Sequence, residues 1–257
     1  MSNLIDSHCH LDLAPLYSQW QTVLARAQAV GVSHCIVPAV DRAGWPRLEA
    51  LAEHSGVSAA IGLHPCFAHA DGDVEAMTAR LAGPHPYLAI GECGLDGVAG
   101  SEPMAAQQQR CLAQLKLAQQ HELPVLLHVR KAHNELLQLL NRVSLPAGGI
   151  LHGFSGSLDL ARQYLRHNLK LGIGGVISYP RAQKTRQTVA QLPLSAMVLE
   201  TDSPDMPLCG YQGQANEPAQ LPKVLAALAE LRSEPSEQLA PTLLHNLHQL
   251  FPTLQPR

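Results

Sequence analysis

The chain is short of aromatic residues, which fill 4% of its 257 positions, and short of charge, with 15% Asp, Glu, Lys and Arg. A core made from it must therefore be mostly Leu, Val, Ile and Ala, and an apolar content of 46% is ample for a sizeable one. The formal net charge of −3 leaves no surplus of cations to coat a duplex. That excludes a protein working through a strongly basic surface, though not a nuclease whose metal ions meet the phosphate. No stretch approaches the ~18 consecutive apolar residues of a membrane span, and the N-terminus lacks a basic region followed by an apolar one. These absences predict a soluble, cytoplasmic protein. Cys-x-x-Cys pairs are missing as well: the six cysteines (9, 35, 66, 93, 111 and 209) are scattered, which reads as reduced thiols rather than a disulfide framework. No Ser/Gly-rich linker, charge block or low-complexity segment divides the chain, so residues 1–257 read as one domain. Nothing marks an obligate protein partner, and a monomer is expected.

Histidine is what the chain has in quantity, with 14 copies. The pair His8 and His10 follows the apolar dipeptide Leu4-Ile5. Side chains alternate along an extended strand, so residues two apart share a side, and two neutral imidazoles at a strand end can hold one metal ion. A lone His-x-His is weak, so the case turns on matching ligands elsewhere.

Short apolar runs recur at 4–8, 34–38, 58–63, 87–91, 124–128, 149–152, 169–174 and 196–200. Between them lie amphipathic segments at 19–30, 45–54, 74–82, 105–121, 132–142, 158–166 and 185–191, and a helical pair at 220–231 and 236–249 closes the chain. Strand–helix alternation implies parallel strands, and eight of them favour an α/β barrel of the TIM-like (β/α)8 kind. In 105–121, Cys111, Leu112, Leu115 and Ala118 form one core-facing stripe, with Gln and Lys opposite.

In such a barrel all strands end on one face, and that face carries the active site. The first strand ends in His8 and His10, the fourth in Glu92, the fifth in His128, the sixth in His152 and the eighth in Asp202. Each alone has a bland reading as a hydrogen-bonded histidine or a capping carboxylate. Ligand chemistry at five of eight strand ends is a different matter, and it predicts a metal site. Four histidines and two carboxylates exceed what one ion needs, which points to two divalent cations bridged by Glu92. Two ions about 4 Å apart can clamp a phosphate and acidify a water. Mixed imidazole and carboxylate donors suit zinc, manganese or iron(II), and magnesium less well. Cys9 and Cys93 stand beside proposed ligands, but alternation turns them away, toward a role as small buried apolar residues.

The ordered motifs Asp6-Ser7-His8-Cys9-His10, Gly62-Leu63-His64-Pro65, Gly91-Glu92-Cys93-Gly94-Leu95-Asp96, Leu127-His128-Val129-Arg130, His152-Gly153-Phe154-Ser155-Gly156, Gly172-Ile173-Gly174-Gly175 and Glu200-Thr201-Asp202-Ser203-Pro204 run nearly end to end. In that order the chain resembles the TatD-type metal-dependent hydrolases, the deoxyribonuclease-like branch of the amidohydrolase superfamily, and is most like an uncharacterised bacterial subgroup. The resemblance implies a TIM-like barrel and a two-metal site in which His8, His10, Glu92 and Asp202 would hold one ion, and Glu92, His128 and His152 the other. The departures lie on the substrate side: Val129 replaces a small polar residue, Cys111 an aromatic one, and the loop after Pro204 lacks the Tyr and basic residues of many TatD nucleases.

The expected activity is a phosphodiesterase or deoxyribonuclease in which activated water attacks phosphorus, with Glu92 and Asp202 as catalytic residues and Asp202 also taking the proton. Its substrate would be DNA or another phosphoester. A hydrolase of a C–N or acyl bond is the alternative, since it needs the same activated water, and an idle binding scaffold is a remote one. His64 and Arg130 are candidate substrate contacts. Glu200 is expected to support the site from below, and Asp96 and Asn216 to orient loops.

Overall fold

In the computed structural model, which describes residues 3–98 and 102–254, the eight expected strands are present. They are β1 (Leu4–Asp6), β2 (Val32–Pro38), β3 (Val57–Ile61), β4 (Tyr87–Asp96), β5 (Val125–Arg130), β6 (Gly149–Leu151), β7 (Leu169–Ile173) and β8 (Met197–Leu199). They lie side by side in chain order, every adjacent pair parallel. The last strand returns to the first: Ser7 N–H donates to Leu199 O at 3.0 Å and Asp202 N–H to His8 O at 2.9 Å. The buried Asp6 carboxylate reinforces that seam, accepting from Thr201 N–H at 3.0 Å and Thr201 Oγ1 at 2.6 Å. The fold is a TIM-barrel-like α/β structure.

Helices α1 (Trp20–Ala29), α2 (Trp45–Ala52), α3 (Asp73–Leu81), α4 (Met104–His121), α5 (His133–Leu140), α6 (Leu158–Leu165) and α7 (Gln183–Gln191) connect successive strands, and α8 (Leu221–Ala229) and α9 (Ser236–Leu250) follow β8. None of the described helices is long and apolar enough to cross a membrane.

The period-two pattern of the strands separates two apolar clusters. Leu4, Cys35, Val37, Ala59, Ile61, Ile90, Val125, Leu127, Leu151, Leu171, Met197 and Leu199 belong to the cluster that includes the helices. Ile5, Ile36, Ala60, Ala89, Leu126, Ile150 and Val198 form the second, with Leu247 and Phe251 at the end of α9. The second set alternates with the first and so fills the barrel interior, as side-chain layers do in this fold. Each fully buried Leu or Ile contributes about 1.5–3 kcal/mol relative to exposure.

Following the inner row upward places the site. Leu126 leads two residues on to His128, Ile150 to His152, and Val198 to Glu200 and then Asp202. Glu92 is off that parity relative to Ala89. β4 advances three residues between Ile90 and Cys93 while β5 advances two between Val125 and Leu127. One extra residue is a bulge that switches which side faces inward, and it leaves Cys93 fully buried in the outer cluster.

Candidate metal centre

Glu92 sits in the middle of five imidazoles. Its Oε2 lies 3.0 Å from His8 Nε2 and 3.2 Å from His10 Nε2. Its Oε1 lies 2.8 Å from His152 Nε2, 3.1 Å from His128 Nδ1 and 3.2 Å from His64 Nε2. Asp202 closes the first group, its Oδ1 at 3.7 Å from His8 Nε2 and 3.8 Å from His10 Nε2, and it lies 3.9 Å from His152 Nδ1. The six ligands expected from the sequence are thus brought together, with one oxygen of Glu92 turned to each histidine group.

The strands end earlier or later than expected, and this changes how the ligands are held. β1 stops at Asp6, so His8 and His10 stand on the loop beyond it; Glu92 lies inside β4, which continues to Asp96. Asp202 is three residues past β8, with φ +56°, the left-handed region that costs a non-glycine residue energy. Glycines allow close approaches at two of these points. A Cβ on Gly94, whose φ is +150°, would meet His128 O at 1.9 Å, and one on Gly172 would meet Glu200 Oε2 at 2.0 Å.

The donor set suits divalent ions. Glu92 Oε1 is buried and has no hydrogen-bond partner although three ring nitrogens lie within 3.2 Å. A buried acceptor left unpaired is costly, and nitrogens so placed are positioned to share a cation with it. His8, His10 and Glu92 form one group able to hold an ion, and Glu92, His128 and His152 another.

Electrostatics point the same way. Burial would raise the Glu92 pKa, but the surrounding imidazoles, His152 first among them, outweigh it and hold the carboxyl well below its usual range. Burial, then the charge of His152, pushes His8 down to about 3. It is a neutral ring, stacked on His152 with centroids 4.0 Å apart. His10 goes the other way, to about 9, because its bond to Glu92 overcomes burial. Burial raises Asp202, and raises Glu200 to about 8. Glu200, fully buried, accepts from Gly153 N–H and lies 3.9 Å from His152 Nδ1, beneath the cluster as expected.

The softer candidates fall differently. His64, read as able to face the metals and contact substrate, is 8% exposed and packs against Glu92, joining the second group of nitrogens. Arg130 ends β5 and is exposed, and it lines a cavity of about 330 Å³ together with His128, His152 and Asp202. Asn216 does tie loops, donating to Thr201 O at 2.9 Å and Met206 O at 3.3 Å. Asp96 holds the loop after β4 through Val98 N–H, which donates to its Oδ1 at 2.8 Å, and its Oδ2 lies 3.1 Å from His128 Nε2, on the side of that ring away from Glu92.

Two glutamines were missed. Gln107 and Gln114, taken with the polar face of α4, are 1% and 0% exposed. Gln114 pairs with the backbone of Leu63, next to His64, and Gln107 with that of Asp96. Their spacing of seven, in phase with Cys111 and Ala118, was the available signal.

A profile of the TatD-related DNases matches residues 5–252. The chain belongs to the TatD family. It is similar to YjjV of Escherichia coli K12, described as an uncharacterized metal-dependent hydrolase, with 46% identity over 96% of this chain and 97% of that one. The crystal structure of that TatD homolog superposes with a TM-score of 0.94, at 44% identity, over 98% of both chains. The 3'-5' ssDNA/RNA exonuclease TatD of Cronobacter sakazakii is 34% identical over 89% of this chain and 90% of its own. This TatD protein is accordingly a metal-dependent hydrolase.

Proposed function

We propose that the chain, working as one unit over 1–257, is a two-metal phosphodiesterase whose substrates include DNA ends and small phosphoesters. In this reading His8, His10, Glu92 and Asp202 would hold one ion and Glu92, His128 and His152 the other, with Glu92 serving both. The observation that carries it is the division of Glu92, one oxygen toward each histidine group. The donors favour zinc, manganese or iron(II) over magnesium.

When bound, such ions supply Lewis acidity, polarising a phosphoryl oxygen and easing deprotonation of a water. The protein's own part is orientation and proton handling. Asp202 is 17% exposed at its side chain, toward the cavity, and its raised pKa makes it an apt proton acceptor beside His8, His10 and His152. Arg130 and Lys131 line the same cavity and offer cations to a phosphate, while His133 stands there as a ring that burial holds toward its neutral form. His64 completes the ring around Glu92 Oε1 and restricts which side of the centre a substrate can approach.

A second reading has its own support. Val129, Leu151, Phe154, Val176 and Met206 give that cavity an apolar wall, which suits a compact apolar group and therefore an amide or acyl substrate. Metal-reconstituted protein assayed in parallel on single-stranded DNA, a small phosphodiester and a set of amides and esters separates the two. Turnover of phosphodiesters is expected. Turnover of amides or esters alone would replace the phosphodiesterase reading by the second.

A further inference from the structure

His128 presents a nitrogen on each side. Nδ1 faces Glu92 Oε1 at 3.1 Å, while Nε2 faces outward to Asp96 Oδ2 at 3.1 Å. The same Asp96 oxygen is 3.2 Å from Cys66 Sγ, and the other, Oδ1, is occupied by Val98 N–H at 2.8 Å. Ligand atoms of His64, Cys66 and His128 lie within 4.8 Å of one another. Asp96 is 2% exposed and held in place, whereas Cys66 is open to solvent. A sulfur, a carboxylate oxygen and an imidazole nitrogen therefore converge outside the Glu92 cluster, with the sulfur on the side from which an ion would enter.

We propose that Cys66, Asp96 and the outer nitrogen of His128, with His64 alongside, form a peripheral site for one thiophilic divalent ion such as zinc or cadmium. Thiolate and imidazole select borderline and soft cations, while manganese and magnesium prefer oxygen. Entry of the ion displaces the thiol proton and the Nε2 proton to solvent, and the sulfur and nitrogen lone pairs take their place; nothing is oxidised or reduced. Where Nδ1 holds an inner ion, loss of the Nε2 proton would leave the His128 ring an imidazolate shared between the two ions, so that carboxylate, thiolate and shared ring supply the negative charge the doubly charged ion needs. Because His128 serves both sides, an ion here competes with Asp96 for Nε2 and draws on a ligand of the inner cluster. Excess zinc should consequently inhibit where excess manganese does not.

The proposal holds whichever bond the enzyme cleaves. Its test counts cadmium and manganese bound per chain by elemental analysis after equilibrium dialysis, and follows near-ultraviolet thiolate-to-cadmium absorption during titration. The wild-type chain should bind one equivalent more of cadmium than of manganese and develop the absorption band. Cys66→Ser, a change of one atom at an exposed position, should lose that equivalent and the band while keeping its manganese. Equal cadmium uptake in the two proteins would overturn the site, as would a band that survives in Cys66→Ser. In either case Asp96 would simply be the acceptor that fixes the His128 ring. Loss of manganese uptake is a separate result, counting against the inner cluster.

Discussion

Gln114 on α4 closes both backbone groups of Leu63, accepting from its N–H at 2.8 Å and donating to its carbonyl at 3.2 Å. A helix thereby grips the segment just past β3, one residue before His64. Gln114→Leu keeps the bulk but leaves two buried backbone groups unpaired. An unsatisfied buried group costs about 1–3 kcal/mol, so the variant should be about 2 kcal/mol or more less stable, which in a chain of this size lowers Tm by roughly 4 °C or more. Calorimetry checks this. An unchanged Tm would mean that water replaces the glutamine.

Glu92 is expected to serve both ions. Glu92→Ala should weaken both binding steps in a metal titration, whereas His8→Ala should weaken one, since His8 faces only Oε2. Isothermal titration calorimetry on each purified variant resolves the steps. Single-step losses in both would make Glu92 an ordinary ligand of one ion.

Much of this arrangement was legible in the chain, and the gaps have physical causes. Strand number and parallel order followed from apolar runs alternating with amphipathic ones, because each parallel strand needs a returning helix. His128, His152 and Asp202 were readable because each continues an inward row set by Leu126, Ile150 and Val198. Glu92 was found by its position near a strand end, yet its inward aim depends on the β4 bulge after Ile90, and a one-residue shift of register leaves no mark in hydrophobicity. His64 was read as able to face the metals and Asp96 as orienting a loop, but their particular partners were not legible. Their contacts to Glu92 and His128 cross between strands, and the sequence does not state distances between strands. Gln107 and Gln114 were hidden because a polar residue on a helix is ordinarily solvated, and only the packed structure shows the backbone groups they satisfy.

His34 offers a pH test remote from the metal cluster. It ends a hydrogen bond to Ser58 Oγ at 2.8 Å, and burial, then the nearby His54, lowers its pKa below the usual 6.5. The folded state therefore prefers the neutral ring. Above pH 6.5 neither state binds the proton and no pH effect arises. As pH falls below that value the unfolded chain takes up the proton and the folded one does not, so stability declines toward the folded-state pKa. His34→Gln removes this contribution. Urea unfolding at pH 8 and pH 5 should show a larger acid loss for the wild type than for the variant, and parallel losses would contradict the assignment.

Asp202 is where binding and proton transfer can be separated. One of its oxygens approaches His8 and His10 at 3.7 and 3.8 Å, and the side chain keeps some exposure to the cavity. Asp202→Asn preserves the size and one oxygen for coordination while removing the charge and the basicity. A positioned general base typically contributes about 10²–10⁴-fold in rate. With metal in excess, the variant should therefore retain most of its bound ions yet lose on the order of a hundredfold or more in kcat. Bound metal by elemental analysis and kcat on the same preparation decide the matter. Full metal with near-wild-type kcat would leave Asp202 a ligand alone and shift the search for the proton acceptor to solvent or to His64, whose pKa is lowered first by burial and whose Nε2 stands 3.2 Å from Glu92.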